Sequence, residues 1–86
     1  MKNLNKVISI PFGITQKLVK KYPDLTPVEL KVSALLSLNL SSREIADITR
    51  RSIRTIEFTR NNIRKKMNCK PGENLINHII IDINEL

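Results

Sequence analysis

Arg54, Phe58, Asn61, Asn62 and Lys65 fall on one side of a helix if residues 53–67 are wound at about 100° per residue. A guanidinium and two carboxamides offer the paired donors and acceptors that read base edges in a DNA groove, and a phenyl ring can meet a thymine methyl. Glu57 lies at the flank of this group, where a carboxylate can accept from a cytosine amine. The plainer alternatives are that Glu57 pairs with Arg60, Asn61 or Arg64, or repels the wrong duplex, and that Phe58 packs on the N-terminal segment. Arg64, Lys65 and Lys66 close the stretch, and cations suit the C-terminal end of a helix. Arg60 lies nearer the apolar side and is expected to pair with Glu29 or Glu44.

Charge points the same way. Residues 50–70 hold eight of the 15 Lys and Arg residues but only one of the eight acids, so the net charge of +7 is a local patch on an otherwise balanced chain. A polyanion is the natural partner of such a patch. The bland alternative is a solvated face that keeps a small protein soluble.

The elements that must position these residues are legible from their caps. Thr26-Pro27-Val28-Glu29 is a capping box with proline at the first helical position, and it opens a helix over about 27–38 that ends at a left-handed Asn39. Ser41 and Glu44 form a second box before a helix over 42–49. Ser52 caps a third over 53–67, whose Ile53, Ile56, Ile63 and Met67 gather on the side opposite Phe58. After Pro71-Gly72, residues 73–85 carry Leu75, Ile76, Ile79, Ile80 and Ile83 at helical spacing. The Ile79–Ile81 run also admits a strand. Pro11 and Pro23 bound a short helix over 9–22, and residues 1–8 read as a loose tail. The fold class is therefore all-α, a small four-helix domain over 24–86 with an additional N-terminal helix in segment 1–23.

The second and third helices, three residues apart, have helix-turn-helix spacing, in which the second helix enters the major groove. Leu25-Thr26-Pro27-x-Glu29, Leu40-Ser41-Ser42-Arg43-Glu44-Ile45-Ala46, Ser52-x-Arg54-Thr55-Ile56-Glu57 and Asn62-Ile63-Arg64-Lys65-Lys66-Met67, in this order and without a gap, resemble the LuxR/GerE helix-turn-helix family, most closely the C-terminal domains of Bacteroidetes regulators. The resemblance implies a DNA-binding transcription regulator in which the third of four helices reads the groove and the fourth commonly dimerises. It maps base contacts to Glu57, Phe58 and Asn61 and phosphate contacts to Thr55 and Lys66, with Arg43 near the backbone and Lys65 beside Lys66. Where the family usually has Leu, then Gly or Asn, then Ile or Val in the turn, this chain has Thr49, Arg50 and Arg51. Ile53 is expected to compensate for the missing apolar anchors.

The apolar face of the last helix is wider than one small domain needs, so Ile76, Ile79, Ile80 and Ile83 are read as dimerisation residues. A homodimer would match an inverted-repeat site in double-stranded DNA. The alternative is that the N-terminal segment covers this face. His78 reads as a surface or interface residue, because nothing near it in the sequence completes a metal site. One cysteine, Cys69, builds no disulfide framework and fits a cytoplasmic location. No signal peptide, membrane-spanning run, glycine-rich phosphate loop or nucleophile–base pair is present, so no enzyme, cofactor, metal, small-molecule ligand or membrane partner is expected. The competing function is a protein-interaction module that pairs with a full-length regulator without binding DNA, an idea prompted by the altered turn.

Overall fold

The computed structural model of the protein describes residues 10–85; the tail expected over residues 1–8 lies outside them. Five helices follow one another: α1 Phe12–Lys21, α2 Pro27–Ser37, α3 Ser42–Thr49, α4 Ile53–Lys66 and α5 Leu75–Glu85, with no strand among the described residues. The Ile79–Ile81 run is helical. Its β-propensity yields to burial of a helical apolar stripe, which tertiary packing routinely favours.

Local chemistry sets the boundaries. The Glu29 amide donates to Thr26 Oγ1 at 3.1 Å and the Thr26 amide donates to Glu29 Oε1 at 2.9 Å. Ser41 and Glu44 repeat the exchange at 3.1 and 2.9 Å. Ser52 Oγ accepts from the Thr55 amide at 3.0 Å. Helix α2 stops at Asn39, whose φ of 64° is left-handed. The start of α5 differs from the sequence expectation of 73. Glu73 belongs to the preceding turn, and Asn74 Oδ1 accepts from the Asn77 amide at 3.0 Å, capping the helix one residue before Leu75.

Helix α2 is the centre of the domain. Val32, Ala34, Leu35 and Leu36 are buried on it, and α1, α3, α4 and α5 all pack against it. Ile45 and Ala46 of α3, Ile56, Ile63 and Met67 around α4, and Leu75 and Ile79 of α5 complete an aliphatic core with Leu18 of α1. Ile53 does not join them. It is 44% exposed, so it does not replace the turn anchors as expected.

Helix α1 docks on α2 and α5. Lys17 Nζ donates to the Ile83 carbonyl at 3.0 Å, Lys21 Nζ pairs with Asp82 Oδ1 at 2.8 Å, and the Tyr22 hydroxyl donates to Asp82 Oδ2. Burial first, then this bond to Asp82, pushes the Tyr22 phenol well above its ordinary pKa. Helix α1 and Tyr22 thus meet α5 at Asp82 and Ile83, while α2 packs along the same helix. Ile79 is fully buried, while Ile76 and Ile83 pack against the core. Reading Ile79 as a dimer contact is corrected on this ground, because its side chain is enclosed within one chain. Ile80 stays half-buried and Ile81 is 55% exposed.

Candidate nucleic-acid interface

Helix α4 packs on α2 and α3, and its remaining side faces outward. Arg54, Phe58, Asn61 and Lys65 are all exposed on it, with Asn62 half-buried beside them. They recur at spacings of four, three and four residues, one continuous stripe along roughly 16 Å of helix. Phe58 is 66% exposed, so it does not pack on α1, the described part of the N-terminal segment.

The turn before α4 closes regularly. Arg50 sits at φ 58°, ψ 40°, and its amide donates to Asp47 O at 3.4 Å while the Arg51 amide donates to Ala46 O at 3.0 Å. This is the paired closure of a left-handed helix stop, a position that favours Gly or Asn. Thr49 Oγ1 donates to the Ile45 carbonyl at 2.7 Å, so its polar group is satisfied where a Leu would pack. The backbone turn is therefore kept by arginine, and both Arg50 and Arg51 have exposed side chains. Thr55, exposed in the first turn of α4, accepts from Ser52 Oγ at 2.9 Å and so keeps its own hydroxyl proton to donate. Arg43 is exposed on the first turn of α3.

Three of the basic residues are engaged inside the protein. Arg60 donates to Ser42 Oγ at 3.1 Å, and the Ser42 hydroxyl donates to Glu57. Glu57 is thus held by a serine of α3 instead of by Arg60, Asn61 or Arg64. Arg64 Nη2 donates to the carbonyls of Lys70 at 3.2 Å and Glu73 at 2.7 Å, fastening the α4–α5 loop. Lys66 Nζ meets Glu29 Oε1 at 2.6 Å and the Asp24 carbonyl at 3.0 Å. Burial alone would raise the Glu29 carboxyl. The hydrogen bonds from Lys66 and from the Thr26 amide outweigh it and hold the group below its ordinary range. Of the two acids expected to meet Arg60, Glu29 and Glu44, the first is taken by Lys66. Ser42, Asp24 and the loop carbonyls carry no sequence signal for these roles.

Two short helices joined by residues 50–52, the second with one face in the core and the other polar and exposed, define a helix-turn-helix domain. Residues 23–79 match the family described as bacterial regulatory proteins, luxR family. The chain belongs to this family, and with it to DNA-binding transcription regulators, a class distinct from enzymes. The matched span takes in α2, α3, α4 and the first part of α5, leaving α1 outside. No curated protein and no solved structure matches the chain. No helix among the described residues is long and apolar enough to cross a membrane.

Proposed function

We infer that the protein binds double-stranded DNA sequence-specifically, with α4 in the major groove. The observation that carries this reading is Phe58, a largely solvated aromatic set between Arg54 and Asn61 on a helix whose opposite side is core. Arg54, Phe58, Asn61 and Asn62 meet base edges. Glu57, oriented by Ser42, reads at the flank. Thr55, Arg43 and Lys65 meet phosphates, and Arg50 and Arg51 add cations beside the positive end of α4. Lys66 contributes less to this set, because two of its three N–H donors are turned to Glu29 and Asp24.

Pairing of two copies through α5 would run on Ile80 and Ile81, with Ile76 and Ile83 at its margin. The alternative of an interaction module rested on a weakened turn, and a turn closed by two backbone hydrogen bonds gives it no support. Selection of bound duplexes from a random pool tests the reading and returns the motif and half-site spacing. Asn61→Ala should weaken the selected site more than random duplex. Equal losses on both, or no enrichment at low salt, would remove the base-reading role.

A further inference from the structure

The turn between α4 and α5 brings together three side chains that the DNA-binding role does not use. One donor atom each from Cys69, Glu73 and His78 lies within 4.8 Å of the others. Nothing beside His78 in the sequence completes a metal site; the fold supplies both partners. Glu73 Oε2 is 3.0 Å from His78 Nδ1, and Cys69 Sγ lies 3.7 Å from the Glu73 carbonyl. The backbone here is fastened. Arg64 holds the Lys70 and Glu73 carbonyls, and the Lys70 amide donates to Glu73 Oε1 at 2.9 Å.

The other side of the imidazole is also provided for. Nε2 lies 3.4 Å from Asp82 Oδ2 and 3.4 Å from the Tyr22 hydroxyl, and Asp82 is itself buried and held by Lys21. A carboxylate behind the distal nitrogen of a histidine is the arrangement that fixes ring orientation and raises the basicity of the nitrogen facing a metal. We propose that Cys69 Sγ, a Glu73 carboxylate oxygen and His78 Nδ1 form a three-ligand site for a divalent cation of the zinc class, with a fourth position open to water.

The donor set selects the ion. Thiolate with imidazole favours zinc and its cobalt surrogate, while magnesium and calcium take oxygen ligands almost exclusively. Two anionic ligands and the Asp82 carboxylate offset the nearby Arg64 guanidinium. Binding replaces the Glu73–His78 contact with two metal bonds, releases the Cys69 thiol proton to solvent, and leaves the imidazole with its one proton on Nε2, facing Asp82, any second imidazole proton going to solvent. The ion would tie the end of α4 to α5 and, through Asp82 and Tyr22, to α1.

The test is titration of the reduced full chain with cobalt(II) under inert gas. One cobalt per chain is expected, with a near-ultraviolet thiolate-to-cobalt charge-transfer band and visible bands of four-coordinate intensity, all displaced by zinc. Cys69→Ser should abolish the charge-transfer band. Asp82→Asn should weaken binding about 10- to 100-fold, as loss of an orienting carboxylate does. Circular dichroism of each variant separates lost ligation from lost fold, and the wild-type spectrum needs no variant. Absence of a thiolate band from the wild-type protein, unchanged affinity in folded Cys69→Ser, or one cobalt per two chains would each overturn the site.

Discussion

Replacing Lys66 with Met tests the internal accounting of the basic patch. The methionine keeps most of the aliphatic stem and removes only the ammonium. Glu29, 7% exposed, would lose its 2.6 Å partner and keep the Thr26 amide. Stranding one member of a fully buried pair costs about 3–5 kcal/mol, and an exposed pair is worth under about 1 kcal/mol. The Lys66 side chain is one third exposed and Glu29 nearly enclosed, so a loss of about 2 kcal/mol is expected. For a domain of this size that lowers Tm by roughly 8–16 °C. The pH dependence supplies the second readout. Because the folded-state pKa of Glu29 is depressed, its contribution is present above the ordinary carboxylate range and is lost as pH falls through the folded value. In the variant the burial effect remains without the ammonium, and a protonated Glu29 no longer needs a partner. The Tm gap between wild type and Lys66→Met should therefore be widest at neutral pH and close well below about pH 4. Thermal melts across this range decide it. Equal Tm values at neutral pH, or a gap that ignores pH, would refute the reasoning.

Phe58→Ala should leave stability within about 0.5 kcal/mol of wild type, because the ring is mostly solvated, while affinity for the selected duplex falls about fivefold or more; melts and mobility shifts read the two together. Arg50→Gly should stabilise the domain by about 0.5–1 kcal/mol in denaturant titration, since a left-handed side chain is relieved at the cost of some chain entropy. Tyr22→Phe should cost about 1 kcal/mol by removing the hydroxyl that serves Asp82, and hydrogen exchange should show the α1 amides exchanging faster.

The parts of the fold that rest on local chemistry were legible in the sequence. Thr26 with Glu29 and Ser41 with Glu44 are three residues apart, so pattern and geometry are nearly the same fact. Asn39 announces its left-handed stop by residue type, whereas Arg50 takes the second left-handed position without any such signal. Long-range partnerships were not legible. Lys66 finds Glu29 37 positions away, and Tyr22 finds Asp82 across 60. Nothing in composition distinguishes Lys66 from Lys65 beside it; only the rotation of one helix against another turns the first ammonium inward. Periodicity also placed Ile53 and Ile79 on apolar sides without saying that the first would stay exposed and the second be enclosed.

The distinction between inward and outward cations changes what the basic segment means. Eight lysines and arginines between residues 50 and 70 appear as one electrostatic feature in the sequence. Arg60 is occupied by Ser42, Arg64 by two loop carbonyls, and Lys66 by Glu29 and Asp24. Arg50, Arg51, Arg54, Lys65 and Lys70 are the exposed remainder. Each phosphate neutralised adds about 0.9 to the salt slope of binding, so this remainder supports a slope smaller by almost three units than the raw charge implies. The three engaged cations serve a different end. They fasten α4 to α3, to the loop before α5 and to α2, fixing the rotation of the helix about its own axis. A stripe of Arg54, Phe58 and Asn61 can read bases only if that rotation is held, because a turn of a few tens of degrees would carry the stripe away from the base edges. Within this one segment, five cations would attract the duplex and three set the angle at which α4 would meet it.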